Sequence, residues 1–431
     1  MSNNTTTDSG AQVPQTAPAA IDPRLLVREE GLLGLWNDFR RKVSGGELGS
    51  LPVVVGLAII WIVFGILAPN FATASTFTSI FYELAATGMA ALGLVFVLIL
   101  GEIDLSVLSV SGLAAAIYAV LTVGEHMNAW LALLVTIIAG AAIGMLQGAI
   151  FAKLGVPAFV VTLAGNLGWF GVMLYMLNTD KTTGGGTITL LPGGLNSALQ
   201  ETSYFLGSDI AGAYILAALG VGFFLLSSML EQGRRRKAGI PFRPTLEIAL
   251  RSGGLAVLAF GTAFMLNQYY GVPNALLIFV IAVMACDLVL RRTSFGRKVF
   301  AVGGNIEAAR RAGISVPKIR IAVFTISSTF GALSGLFFAA QTNSATLDAG
   351  QGAWLMLAIA SAVVGGTSLF GGRGKAWSAL LGALLIQSIA VGLDLLNMQA
   401  WDQYMVTAVV VLAAVIVDSL SRRTQKSSGR G

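Results

Sequence analysis

Long apolar runs recur along the chain from residue 52 to residue 418, and almost no charge interrupts them. A helix needs about 20 apolar residues to cross the ~30 Å hydrocarbon core of a bilayer. Core helices of a large soluble protein are apolar on one face only, whereas these runs are apolar all round. The sequence therefore predicts an all-α, polytopic membrane helix bundle of about 10–12 transmembrane helices, one of them broken. Candidate spans centre on Ile60, Leu92, Ala115, Ile138, Trp169, Gly220, Leu258, Val280, Gly331, Ala362, Leu385 and Val411.

The composition is also typical of a membrane protein. Charged residues make up 11% of the chain, against about 25% in a typical soluble domain. Glycine is abundant, and Gly140, Gly144 and Gly148 recur at four-residue spacing in the fourth span. Gly331 and Gly335 repeat this spacing in the ninth span. Small residues on one helix face predict close helix packing inside a membrane.

The positive charges predict an orientation. Cytoplasmic loops of membrane proteins carry an excess of Lys and Arg. Of the 27 Lys and Arg residues, all but Lys181 lie in alternate connections, namely the amino-terminal tail, 101–105, 152–157, 231–252, 291–320, 371–375 and the tail after 419. This distribution explains the net charge of +6 without nucleic acid, and the 231–252 cations are expected to attract anionic lipid. We expect both termini in the cytoplasm, with a polar tail over 1–50 that is helical from about Leu25 to Phe39, a membrane domain over 51–420 and a second tail over 421–431.

Several function classes are excluded by missing residues. Cys286 is the only cysteine and His126 the only histidine, so no intrachain disulfide, cysteine-based metal site or histidine relay is expected. No His, Cys and Asp set forms a catalytic cluster, and no Walker A sequence occurs. We therefore expect neither an enzyme nor a nucleotide-binding subunit, and neither a cofactor nor a metal.

The first motif is Gly-Glu-Ile-Asp-Leu-Ser at residues 101–106, which interrupts an otherwise apolar stretch. Carboxylates at membrane depth are costly unless they face water, a partner or a cavity. Two interpretations remain open. Glu102, Asp104 and Ser106 line a transport path at a broken helix, or the motif is an ordinary turn in which Asp104 caps the next helix.

The second motif is the glycine-rich stretch at residues 365–374. It resembles a phosphate-binding loop only superficially, because no Gly-Lys-Ser/Thr ends it. A flexible helix break near the cytoplasmic face is the better interpretation, and it places Gly366, Thr367 and Ser368 beside the transport path. Its partial similarity to residues 101–106 suggests an internal repeat of the kind that transporters contain.

The third motif lies in the basic loop 291–320. Asn305 is a natural helix cap, and Gly313 is expected to end the helix after two turns. Ala308 and Ala309 give the helix a small and smooth surface, which suits insertion into a groove on a partner protein. A solvated loop helix is the simpler alternative.

Together these motifs resemble one family. The stretch Glu307-Ala308-Ala309 followed by Gly313 is similar to the cytoplasmic loop by which permeases of ABC importers dock on their ATPase subunits. All three motifs, in this order, resemble the monosaccharide branch, the ribose and xylose permeases, over about residues 50–420. The extra length at 180–252 looks more like the xylose type. The resemblance implies a permease homodimer or pair, two ABC ATPase subunits and a periplasmic sugar-binding protein, in the bacterial inner membrane.

Other functions stay open at this point. A permease for branched-chain amino acids or nucleosides shares the architecture. A proton-coupled secondary transporter would need a buried titrating carboxylate. Asp287 is a candidate, but Arg291 lies four residues later and is expected to pair with it.

Overall fold

The computed structural model describes residues 51–179, 186–200, 211–239, 242, 244–350 and 353–427. The expected tail over 1–50, with its helix, lies outside the described residues. Among those described, almost every segment is helical. The helices are α1 (Leu51–Leu67), α2 (Ala74–Ile99), α3 (Val107–Ala119, extended by a π-helical turn at Val120–Gly124), α4 (Ala129–Leu154), α5 (Ala158–Thr179), α6 (Gly194–Gln200), α7 (Ala211–Lys237), α8 (Thr245–Asn267), α9 (Asn274–Arg292), α10 (Ser294–Gly304), α11 (Ile306–Arg311), α12 (Val316–Thr342), α13 (Ala353–Val364), α14 (Trp377–Leu395) and α15 (Ala400–Ser427).

The predicted fold class is confirmed. Within the described part of the chain, nine helices are long and apolar enough to cross a membrane. They are α2, α3 with its π-helical turn, α4, α5, α7, α8, α9, α12 and α14. The remaining candidate spans fall on α1, α13 and α15, whose apolar helical parts are shorter. Among the described residues, the one departure from all-α structure is a short antiparallel pair, β1 (Thr187–Thr189) and β2 (Ser344–Thr346), in which Ile188 lies opposite Ala345.

Helix α12 lies at the centre of the bundle, and the glycines of α4 pack directly on it. A Cβ at Gly144 would lie 2.3 Å from the carbonyl oxygen of Phe324, and one at Gly140 would lie 2.5 Å from the Cβ of Ala332. On another face of α12, a Cβ at Gly335 would lie 1.9 Å from the carbonyl oxygen of Ser111 in α3. The glycine spacing therefore does mark close helix packing, as the sequence predicts.

Two of the spans are preceded by non-helical backbone inside the bundle. Helix α3 begins at Val107, whose carbonyl faces Gly331 near the middle of α12, so the preceding residues reach membrane depth as non-helical backbone. Helix α13 has only 12 residues. The backbone before it also reaches the interior, where Gly350 lies against Leu108. Such breaks occur in membranes only where protein or a cavity surrounds the backbone.

The bundle has two distinct ends. We call the end that holds the β1–β2 pair and α6 the hairpin end. The opposite end holds the turn after α2, helices α10 and α11, and the loop between α13 and α14, and we call it the junction end. Gln341 at the end of α12 donates to the carbonyl oxygen of Tyr82, which places the first turns of α2 at the hairpin end.

The packing of α4 on α12 gives a stability prediction. Gly144→Ala should lower the free energy of unfolding by about 1–3 kcal/mol, because the new methyl group would overlap backbone atoms of α12. Gly220→Ala is the matched control, because a Cβ there meets no atom within 4 Å. Thermal unfolding of the two purified variants checks this, and equal melting temperatures would contradict the packing.

Candidate functional site

The break at residues 101–106 begins with a glycine cap. Gly101 has a φ of +79°, in the left-handed region that favours glycine. Its N–H donates to the carbonyl of Leu98, and the N–H of Glu102 donates to that of Val97. This paired bonding satisfies the last carbonyls of α2 and turns the chain back into the bundle.

Asp104 is the centre of the break and is fully buried. One carboxylate oxygen accepts hydrogen bonds from the backbone N–H of Ser106 at 2.9 Å and from its hydroxyl at 2.7 Å. The other accepts from the hydroxyl of Ser327 on α12 at 2.8 Å. Ser327 lies eleven residues into α12, about 16 Å from the start of that helix. Asp104 therefore attaches the break to the central helix at the middle depth of the bundle.

Gln147 of α4 completes this buried polar cluster. Its side-chain oxygen lies 2.9 Å from the hydroxyl of Ser106, and its Nε2 has no hydrogen-bond partner. Ser106 donates its single hydroxyl proton to Asp104, so it cannot also donate to the oxygen of Gln147. With the amide turned over, Nε2 donates to the hydroxyl oxygen of Ser106, so this contact has both a donor and an acceptor, and this orientation fits the chemistry better.

Glu102 forms the second link between the break and α12. Its carboxylate pairs with Arg320 at 3.1 Å, and both side chains are about one-fifth exposed. The guanidinium of Arg320 also lies 4.3 Å above the ring of Phe151 on α4. The ion pair and the stacking hold the turn against two helices at once.

The glycine-rich loop lies directly beside this turn. Thr367 and Ser368 are buried, whereas Gly366 is exposed and has a φ of +106°. The hydroxyl of Ser368 accepts from the N–H of Phe370 at 3.0 Å, and the N–H of Ser368 donates to the carbonyl of Arg373. Ser368 therefore shapes the loop.

Three segments meet at one point, which we call the glycine junction and define by Gly101, Gly303, Gly371 and Gly372. The N–H of Gly372 donates to the carbonyl of Ile99 at 2.8 Å. A Cβ at Gly303 would lie 1.8 Å from that same carbonyl oxygen, and one at Gly371 would lie 3.0 Å from the Cα of Gly101. The three sequence motifs, at residues 101–106, 291–320 and 365–374, are thus in backbone contact.

Helix α11 extends from this junction. Asn305 caps it by accepting from the N–H of Ala308 at 2.9 Å, and the helix ends at Arg311, just before Gly313 with a φ of +77°. The predicted cap and stop are both confirmed. Glu307 is exposed and pairs with Arg310 at 2.7 Å.

The two alanines of α11 differ in exposure. Ala308 is exposed, but Ala309 is only 4% exposed and packs into the chain's own core. The expectation that both alanines form a smooth outer surface is therefore wrong for Ala309. The short helix turns one alanine inward to anchor itself, which leaves Glu307, Ala308 and the arginines outward.

The structure also shows the pairing of Asp287, the carboxylate considered above for a proton-coupled transporter. Asp287 pairs with Arg291 at 2.8 Å, one turn later on α9, as expected. Within the described residues, no group of three or more His, Cys, Asp or Glu side chains could hold a metal ion.

Sequence reasoning missed three partners of the break: Gln147, Ser327 and Arg320. A polar side chain inside an apolar span is itself a signal, and Gln147 could have been found that way. Ser327 could not, because hydroxyls are common in these helices and nothing in the sequence pairs it with Asp104. The placement of Glu102, Asp104, Ser106, Gly366, Thr367 and Ser368 along a transport path stays a prediction.

The contacts of Asp104 predict its effect on stability. Asp104→Ala should lower the free energy of unfolding by about 3 kcal/mol or more, because it leaves buried donors of Ser106 and Ser327 without acceptors. Asp348→Ala, at an exposed position near β2, should change it by less than about 0.5 kcal/mol. Thermal unfolding of both purified variants is the measurement, and similar destabilisation of the two would rule out the anchoring role.

Comparisons with known proteins identify the family of the chain. Residues 76–415 match the family described as branched-chain amino acid transport system / permease component. No solved structure matches the chain significantly.

Individual relatives are permeases for sugars. The xylose transport system permease protein XylH of Escherichia coli K12 is 33% identical over 351 residues, which cover 81% of this chain and 86% of the relative. The corresponding protein of Haemophilus influenzae is 32% identical, over 89% of this chain and 99% of the relative. The ribose import permease protein RbsC of Escherichia coli K12 is 31% identical, over 88% and 97%. The chain therefore belongs to this family of membrane permease components, within its monosaccharide branch.

Proposed function

We propose that the chain is the membrane-spanning subunit of a binding-protein-dependent ABC importer that moves a monosaccharide, xylose in the first instance, into the cell. The observation that carries the proposal is the glycine junction. It joins an exposed, capped helix at the junction end to the break at residues 101–106 and to the glycine-rich loop at residues 365–374. The printed names of the relatives supply the substrate class.

In this proposal the chain performs no covalent chemistry. A separate ABC ATPase subunit hydrolyses ATP and receives α11 in a groove, and a periplasmic sugar-binding protein delivers the substrate at the hairpin end. Two copies of the permease form the translocating unit in the inner membrane. Backbone contacts at Gly303 and Gly371 leave no flexible side chain between α10 and the break, so a push on α11 reaches Gly101 directly.

The charges support a cytoplasmic junction end. Arg310, Arg373, Lys375 and Arg320 lie there, whereas Glu125 and Asp348 lie near the hairpin end. An excess of Lys and Arg is typical of cytoplasmic loops. In the proposed orientation both termini lie in the cytoplasm.

The family description favours one other substrate class, the branched-chain amino acids. Reconstituted transport distinguishes the two. With the cognate ATPase and binding protein in liposomes, ATP-dependent uptake of labelled xylose or ribose supports the proposal. Uptake of leucine without uptake of either sugar would replace it.

Docking through α11 gives a direct test. Ala308→Trp should weaken docking by about 1–3 kcal/mol, because a large side chain replaces a methyl group on the outer surface. ATP-driven uptake should therefore fall while the permease stays folded. Ala238→Trp is the matched control, because Ala238 is also exposed but lies in the turn that follows α7, not on α11. Ala309→Trp is unsuitable, because it would disrupt the core. Equal uptake by the Ala308 and Ala238 variants would contradict the docking assignment.

The proposed orientation of the chain in the membrane can be tested by cysteine labelling. Cys286 is buried and is the only cysteine, so single cysteines can be placed in a Cys286→Ala background. On intact spheroplasts, a membrane-impermeant thiol reagent should label Glu125→Cys, and it should label Ala308→Cys only after permeabilisation. The reverse pattern would invert the topology.

A further inference from the structure

A polar cleft opens between α2 and α14 at the hairpin end of the bundle. Its volume is about 360 Å³, within the range of about 300–1,000 Å³ that small-molecule sites occupy. None of its lining residues belongs to the motifs that the sequence analysis singled out. The polar groups of its wall come from α2, α14 and α15, and they are Ser75, Thr76, Ser79, Glu83, Gln387, Asp394 and Gln403.

The cleft reaches the depth of the hydrocarbon core. Glu83 lies nine residues after the start of α2, and Gln387 lies eight residues before the end of α14. At 1.5 Å per residue, these positions are about 13 Å and 12 Å from the helix ends. Glu83 is nevertheless exposed, although its neighbours Phe81 and Leu84 are buried. An exposed carboxylate at this depth has to face water, a polar ligand or a partner protein, because facing lipid is costly.

Within the described part of the chain, no cation neutralises the two carboxylates of the cleft. The amide of Gln387 donates to one carboxylate oxygen of Glu83. Asp394 is close enough to Glu83 for the two carboxylates to repel each other. No described cation pairs with either of them. The remaining carboxylate lone pairs are therefore free to accept further hydrogen bonds.

This combination of groups matches a polyhydroxylated ligand. A sugar hydroxyl both donates and accepts, so it can donate to Glu83 or Asp394 and accept from the amide of Gln387 or the hydroxyl of Ser79. The apolar side chain of a branched-chain amino acid would offer no hydrogen-bond partner to the polar groups of this cleft, which a binding site penalises. The wall thus favours sugars over the other substrate class of the family.

We propose that this cleft is a sugar-binding site of the permease itself, entered from the hairpin end, with Glu83 and Asp394 as hydroxyl acceptors. The choice of two aldopentoses, xylose and ribose, as the test ligands rests on the proposed function. The cleft and its chemistry do not depend on it, and binding can be measured without ATPase or binding protein.

The test uses accessibility of the cleft to a thiol reagent. In purified Cys286→Ala permease in nanodiscs, Ser79→Cys should react with a hydrophilic maleimide, and saturating xylose or ribose should slow the reaction about tenfold. In the Ser79→Cys variant, the additional change Glu83→Gln should raise the sugar concentration required for protection by about tenfold or more, as expected for loss of a charged acceptor. Glu125→Cys, exposed in a loop at the same end, is the control and should react at the same rate with and without sugar.

Other outcomes overturn the proposal. An unreactive Ser79→Cys would mean that the cleft is closed, for instance by a second copy of the chain. Protection by calcium chloride but by no aldose would assign the carboxylates to a cation. Protection that Glu83→Gln leaves unchanged would place the sugar elsewhere. ATP-driven uptake, measured separately, keeps the two proposals apart. Protection without uptake contradicts only the importer, and uptake without protection contradicts only the cleft.

Discussion

One buried carboxylate makes the interrupted span possible. Backbone that leaves helical geometry at membrane depth loses its internal partners, and no lipid can replace them. Asp104 supplies acceptors for the backbone and hydroxyl of Ser106 and reaches Ser327 on the central helix. The break is therefore a fixed structure tied to α12. A carboxylate suits this position because its two oxygens accept from several donors at once, whereas a hydroxyl or an amide accepts fewer bonds.

The same constraint explains why glycine dominates the contacts around the break. Where α4 and α3 approach α12, and where Gly303 meets the end of α2, carbonyl oxygens occupy the space that a side chain would need. Packed backbones of this kind leave little room for independent movement, because the interior is nearly incompressible. Movement at the junction end is consequently transmitted as displacement of whole segments. This property suits the proposed coupling of the surface helix α11 to the interior.

The elements that the sequence predicts well are those with local causes. Apolar runs predicted the spans, four-residue glycine spacing predicted the contacts of α4, and the Asn305 and Gly313 pattern predicted the bounds of α11. The missed features depend on pairing between distant segments. Ser327 lies 223 residues from Asp104, and the side on which Ala309 packs depends on the core beneath it. The cleft was missed for the same reason. Glu83 and Gln387 are 304 residues apart, and each looks like an isolated polar residue in an apolar helix.

Helix α2 connects the two regions to which function is assigned. Its first turns carry Ser75, Ser79 and Glu83 in the cleft, and its last residue, Ile99, accepts the hydrogen bond from Gly372 at the glycine junction. Between them, residues 84–99 are buried on every side, so the helix cannot bend into solvent or lipid. In the proposed importer, a displacement of the junction by the ATPase must therefore move α2 as one body against α14. In that importer the movement would alter the wall of the cleft about 24 Å away along the helix, and it would link nucleotide-driven motion to the proposed sugar site.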